Sequence, residues 1–415
     1  MAAVPSQPTV LMLAPAPSAH RDRLTAIAAA ITCVAVVGIG LSLSIPLLSL
    51  EMERMGASSF LIGLNTAVGG FASIITVPFV PRLAARVGVL RLLLLSIGLG
   101  AVLLIGFRIF YDLTWWFPLR FLFSVTLGAL FVLSEFWITQ AAPPERRGLV
   151  MGIYATVLAI GFAVGPGLLV LLGTEGFAPY LAGAGLFVVA AIPIALARGV
   201  SPSIPHEGQS LNFFSYLRVA PIATFAALLY GAVETGGFAI LPLYGLRLGF
   251  DAQTAAGLVS VVALGNVLFQ IPIGWLADRT DRGSVLLASA LAGALGAALM
   301  PAASGSLMML SVLLFVWGGV AGTLYTVGLA HLGASVRGPD LAGANAAFIA
   351  LYGVGLMLGP AMIGGGMDLI VPQGFAWTLA AMFAAYAGIV VVAILRGVSA
   401  ADRNATPEQD ERLLR

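Results

Sequence analysis

The stretch LTAIAAAITCVAVVGIGLSLSIPLLSL, from Leu24 to Leu50, contains no charged residue and outlasts the ~20 apolar residues that carry a helix across ~30 Å of hydrocarbon. Arg21 and Arg23 precede it, but the core is too long for a cleavable leader, so it is expected to stay in the bilayer. The residues before it, with Pro5, Pro8, Pro15 and Pro17 and neither arginine nor acid up to His20, read as a disordered tail.

Eleven similar stretches follow. With the first, they run approximately over 24–49, 59–81, 90–110, 115–140, 148–172, 177–197, 219–245, 253–276, 284–303, 306–330, 341–364 and 373–395. They are continuously apolar rather than alternating, and an open sheet in lipid would leave backbone groups unpaired, so helices are expected. The composition agrees: 60% of residues are hydrophobic and 9% charged, against roughly 25% charged in an average soluble domain. Abundant glycine and alanine suit close helix contacts.

The longest internal polar segment, GVSPSIPHEGQSLNFFSYL (Gly199 to Leu217), follows the sixth span and reads as a linker, with His206 as a solvated side chain. The expected organisation is a cytoplasmic tail over 1–23, a six-helix half over 24–198, the linker over 199–217, a second half over 218–396 and a tail over 397–415. The N-terminal tail, alternate loops and the C-terminal tail hold most of the arginines. The other side keeps Arg54, Arg108 and Arg247, accompanied by Glu51, Glu53, Asp112, Glu175 and Asp251. By the positive-inside rule both termini are cytoplasmic.

Several function classes drop out. All 20 basic residues are arginine, so neither a Schiff-base lysine nor a nucleotide phosphate-loop lysine exists, and ATP-driven pumping by this chain is not expected. A net charge of +2 without basic clusters offers nothing to nucleic acid. Cys33 lies in the first span and reads as a small hydrophobe. His20, His206 and His331 are scattered, so no metal site, cofactor or enzymatic acid–base set is expected.

The halves align on themselves. A shift of 193 or 194 places Gly56 on Gly249, Gly63 on Gly257, and Gly165-Pro166 on Gly359-Pro360. Repeated halves are a signature of transporter folds, where one half rocks against the other around a central site.

At this point the residues resemble a known family. GWLADRTDR, Gly274 to Arg282, resembles the signature loop of the major facilitator superfamily, Gly-x-x-x-Asp-Arg followed by further basic residues. The preceding QIPIG, Gln270 to Gly274, is similar to a poorly characterised bacterial branch. The first-half counterpart, PRLAARVGVLR from Pro81 to Arg91, keeps Arg82, Arg86, Gly88 and Arg91 but has Pro81 for the glycine and Ala85 for the aspartate. GFAVGPG (Gly161 to Gly167) and GLMLGPAMIGGG (Gly355 to Gly366) both resemble the family's fifth-helix antiporter motif. The same pattern, through Gly161, Gly165, Pro166, Gly355, Gly359 and Pro360, also simply packs and bends a helix. The resemblance implies an all-α membrane protein with the major facilitator fold, twelve transmembrane helices in two pseudo-symmetric halves, and a cavity lined by the first, fourth, seventh and tenth spans.

Three charges fall well inside spans, where charges are costly and usually functional. Glu234 lies about 22 Å into the seventh span. It is expected to couple protons or bind a cationic substrate, with Tyr230 one turn before it; a buried carboxylic acid bonded to a neighbouring helix is the plainer reading. Arg120, about 8 Å from the outer end of the fourth span, opens RFLFSVTLGA, which resembles the family's arginine motif; it either faces the cavity or snorkels to the headgroups. Glu135, about 22 Å further along that helix, is expected near the cytoplasmic end, where it would meet Arg82 or Arg86 and replace the acid lost at Ala85. Two cytoplasmic gate clusters follow, Glu135 with Arg82 or Arg86, and Asp278 with Gly274, Arg279 and Arg282; ordinary positive-inside charge is the alternative.

The expected function is secondary active transport of a small molecule, cationic or amphiphilic, by alternating access, with proton coupling and export ahead of import. A channel or a non-transporting receptor on the same scaffold is the rival class. A monomer in a bacterial inner membrane, partnered by lipid and protons, completes the reading.

Overall fold

A computed structural model describes residues 17–76, 78–143, 146–200, 202, 220–335 and 340–396. The helices are α1 (Pro17–Arg54), α2 (Ser59–Thr76), α3 (Val80–Val87), α4 (Val89–Ile109), α5 (Leu113–Ala141), α6 (Arg147–Leu172) and α7 (Ala178–Leu196) in the first half. In the second half they are α8 (Pro221–Arg247), α9 (Ala252–Arg279), α10 (Arg282–Ala303), α11 (Leu307–Ser335), α12 (Asp340–Leu369) and α13 (Gly374–Leu395). All but α3 contribute the 12 helices long and apolar enough to cross a membrane.

Several boundaries differ from the sequence reading; the tenth and eleventh spans run five residues further, to Ser335 and Leu369. α1 starts at Pro17 and already includes His20 to Arg23, which the reading placed in the tail. The second span stops at Thr76, not residue 81, and the chain re-enters a helix as α3 with Pro81 in its first turn. Proline lacks the N–H that an ongoing helix requires but fits a first turn, where that donor is unpaired anyway. Most of the linker and the tails, His206 included, lies outside the described residues.

Acids begin several spans. The side chain of Asp112 accepts from Thr114 N (2.8 Å), Asp251 from Gln253 N and Thr254 N (3.0 Å each), and Asp281 from Ser284 N (2.8 Å). Each satisfies a backbone donor that the first helical turn leaves free. At Asp251, the bond from the Thr254 hydroxyl, with the two backbone N–H groups, holds the carboxyl below its usual range.

The repeat is visible in the backbone. α1 closes with Ala57 N donating to Met52 O (3.0 Å) around Gly56 at φ +82°, and α8 closes with Phe250 N donating to Gly245 O (3.1 Å) around Gly249 at φ +93°. Both are the same left-handed helix ending, which glycine adopts without a Cβ penalty. The packing repeats as well: α1 on α6 is matched by α8 on α12, α2 on α5 by α9 on α11, and α4 on α7 by α10 on α13.

The halves meet through α2 with α12, α6 with α9, and α1 with α8. Among the described residues, the hydrogen bonds and ion pairs joining the halves lie at or towards the end remote from the termini. Ser260 Oγ donates to Ala163 O (3.1 Å), Arg247 pairs with Glu53 (3.4 Å), and Asp368 accepts from the first turn of α2. The bundle is therefore fastened at its far end.

Candidate functional site

Glu234 stands midway along α8, thirteen residues, or about 20 Å, from either end. α8 is enclosed by α12, α9, α11, α1, α13 and α2, so the exposure that Glu234 retains faces space inside the bundle. Its two carboxylate oxygens are held separately: Tyr230 donates to Oε1 (2.9 Å) and Tyr352 of α12 to Oε2 (2.6 Å). Asn266 Nδ2 donates to the Tyr230 hydroxyl (3.2 Å), and Gln270 Nε2 donates to Asn266 Oδ1 (3.0 Å). The chain of donors from α9 thus ends on the carboxylate.

Aromatic faces complete this cluster. The Tyr230 and Tyr352 rings stack at 6.0 Å, and Tyr325 of α11 packs against them at 5.5 and 5.4 Å. No basic side chain among the described residues lies within ion-pair distance of Glu234. A carboxylate ringed by aromatic faces and lacking a fixed counter-ion can take either a proton or an ammonium group. The sequence reading paired Tyr230 with Glu234 from their one-turn spacing. Tyr352, Tyr325, Asn266 and Gln270 come from three further helices, so no spacing along the sequence gathers them.

Arg120 does not snorkel. It is 3% exposed, seven residues into α5, with its Nε buried and unbonded, and no acceptor among the described residues partners its guanidinium. Gly69 of α2 makes room for it: a methyl at Gly69 would sit 3.5 Å from Arg120 Nε and 2.9 Å from Ser124 Oγ. The adjacent Gly70 abuts Leu356 and Met357 of α12, one turn from Tyr352. By residue count Arg120 stands about 10 Å from the far end of α5 and Glu234 about 20 Å from that of α8, in opposite halves.

The clusters expected at the terminal end are only partly assembled. Asp278 pairs with Arg282 at 3.4 Å, and Arg282 also donates to Ala330 O (3.4 Å), all within the second half. Arg279 instead stacks over Trp275, 3.8 Å from its centroid. Gly274 faces open space. Arg82 and Arg86 lie on α3, and Arg86 lines a surface hollow of about 440 Å³ that has no acid on its walls. Glu135 is exposed, and no ion pair joins it to either arginine among the described residues. Both clusters sit where the halves are not fastened.

At the far end, the sequence reading missed a fastening. Arg247 reaches Glu53 of the other half and Asp368 of its own (3.4 and 3.5 Å), while Asp368 accepts from Ser59 N (3.1 Å) and Phe60 N (2.8 Å). Beside it, Arg54 donates to Glu51 (3.1 Å) and Thr174 O (2.7 Å), and the Tyr111 hydroxyl donates to Glu51 (2.6 Å). Burial, reinforced by that bond and by the charge of Glu51, pushes the Tyr111 hydroxyl up to about 12, so it remains a donor at neutral pH. Loop acids with arginines on this side were the available signal, although the reading used them only for orientation.

The glycine-proline motifs serve as contact surfaces. Methyl groups on Gly161 and Gly165 would run into Gly38, Ser42 and Leu43 of α1; on Gly355 and Gly359 they would run into Leu228 and Ala232 of α8. Both helices continue through Pro166 and Pro360.

The family model described as Major Facilitator Superfamily matches residues 30–265 and 223–414. The chain is 26% identical over 322 residues to the uncharacterized MFS-type transporter YfkF of Bacillus subtilis (strain 168), covering 76% of this chain and 81% of that one. It is 27% identical over 265 residues to the uncharacterized MFS-type transporter YcaD of Escherichia coli (strain K12 / DH10B), covering 63% and 66%. Among solved structures, the nucleoside transporter NupG superposes with a TM-score of 0.71 at 17% identity, over 93% of this chain and 100% of that one. A D-xylose-proton symporter superposes with a TM-score of 0.68 at 16% identity, over 89% and 96%. At such identities the structural likeness speaks for the fold.

Proposed function

Because the chain belongs to the major facilitator superfamily and is by that kinship a secondary transporter, we propose that it moves a small molecule by alternating access, coupled to protons through Glu234. The observation that carries this reading is the Glu234 carboxylate at mid-depth, held by two tyrosine hydroxyls and without a counter-ion among the described residues. Such a group can exchange a proton for a cationic cargo, each displacing the other, which is the logic of an antiporter. Export is favoured over import by the likeness of Gly161 to Gly167 to the antiporter motif.

Arginine placement supports cytoplasmic termini, a cytoplasmic linker and a bacterial inner membrane. In that orientation the fastened end is extracytoplasmic. Glu135, Arg82 and Arg86, with Asp278, Arg279 and Arg282, would then form cytoplasmic contacts when that side closes.

The test is quenching of a pH-sensitive dye in everted vesicles, with a compound panel added to wild-type and Glu234→Gln protein. Discharge of the gradient by a compound through wild type alone is expected. Equal discharge through the Glu234→Gln protein would refute coupling at this residue.

A further inference from the structure

We propose that the cargo is dipolar, with an anionic group of the carboxylate class docking on Arg120 and an ammonium-type group docking on Glu234 among Tyr230, Tyr325 and Tyr352. This inference rests on the reading of Glu234 as the coupling or substrate site.

A guanidinium buried without an acceptor is one of the more costly arrangements a protein can hold, and Arg120 has none among the described residues. Its neighbours do not supply one. α2 contains no acid, and the next acid on α5, Glu135, lies about 22 Å along the helix. Of the α1 acids, Glu51 is engaged at the far end with Arg54 and Tyr111 and Glu53 with Arg247, while Asp22 lies at the opposite end of the helix. Glu234 is held in the opposite half by its two tyrosines.

Arg120 and Glu234 are charges within the spans, about 10 Å and 20 Å from the far ends of their helices, one contributed by each half, and their signs cancel. A purely cationic cargo would satisfy Glu234 and be repelled by Arg120. A purely anionic cargo would do the reverse. A molecule carrying both charges satisfies both, and the planar guanidinium is suited to grip a carboxylate through two parallel bonds. The tyrosine rings meanwhile favour a soft ammonium next to the Glu234 carboxylate. Because the two anchors belong to different halves, such a cargo also links the bodies that move against each other.

The experiment follows thermal unfolding of the purified full chain in detergent. The probes are ω-amino carboxylates of increasing length, each paired with the alkylamine and the alkanoate of equal length. At one length, the dipolar compound is expected to protect wild type with an apparent Kd at least ~10-fold below both single-charge counterparts. In Arg120→Gln the amine should equal the dipolar compound, and in Glu234→Gln the alkanoate should. Arg120→Lys, which keeps the charge, supplies the comparison if Arg120→Gln does not fold, and should retain part of the preference. Protection by amines equal to that by every dipolar partner, or no protection by any dipolar member, overturns the inference. Vesicle dye quenching separates this result from the coupling reading. An amine that discharges the gradient through wild type but not Glu234→Gln, with no dipolar preference, sinks the dipolar cargo and leaves coupling standing; dipolar protection without proton movement does the opposite.

Discussion

Asp368 caps Phe60 across the boundary between the halves: its Oδ2 accepts from the Phe60 backbone N at 2.8 Å, while Oδ1 accepts from Ser59 N. A capping carboxylate normally belongs to the helix it caps. Here it belongs to the other half, so opening the far end requires α2 to lose its cap. Removal of a helix cap costs about 1 kcal/mol, so Asp368→Ala should move the closed-to-open ratio of the far end several-fold towards open. Spin labels at Trp115→Cys and Ile370→Cys, on a Cys33→Ser background, would report it as a longer distance population. An unchanged distribution would mean that the cap does not govern closure.

Tyr352→Phe removes one hydroxyl from the Glu234 carboxylate while keeping the ring. Interhelical hydrogen bonds in membrane proteins average about 0.6 kcal/mol, with a ceiling near 1.7, so the thermal midpoint should change little. Proton-coupled flux should fall far more than stability does. A loss of flux that merely follows the amount of folded protein would assign Tyr352 to packing alone.

Gly359 lies flush against Ala232 of α8, whereas Gly98 of α4 faces open space. Overpacking typically costs about 1–3 kcal/mol. Gly359→Ala should therefore lower the thermal midpoint clearly, and Gly98→Ala should leave it unchanged or raise it. Equal behaviour of the two variants would contradict the packing role of the eleventh-span motif.

Asp278→Asn removes an exposed pair that is contained in one half. Exposed pairs contribute about 0–1 kcal/mol, so unfolding should be nearly unaffected. If this acid closes the terminal end in another state of the carrier, the substitution should slow turnover at normal stability. Turnover equal to wild type would reduce Asp278 to ordinary loop charge.

The fold was legible because its determinants are local and repeated. Uninterrupted apolar runs announce helices, and Gly56 and Gly249 recur because the same left-handed ending is needed after the first helix of each half. Tyr230 could be assigned to Glu234 because one turn of a single helix separates them. Tyr352 and Asn266 could not, since their link to Glu234 depends on how α9 and α12 rotate about their axes, which an evenly apolar helix does not disclose. Asp368 went unnoticed because it resembles an ordinary acid at a span's end, and its partners are backbone N–H groups that leave no mark in the sequence. Arg120 showed that distance from a helix end does not decide snorkelling: the space beside Gly69 keeps the side chain inside.

The mid-depth position of Glu234 also fixes how the site feels the membrane voltage. A unit charge crossing the whole potential exchanges about 2.3 kcal/mol per 100 mV. A carboxylate about 20 Å from either end of its helix divides that work into comparable parts. Arrival of a cation from one face and its departure to the other would each carry about half of the electrical driving force, so neither step alone would bear the full burden of an energised membrane.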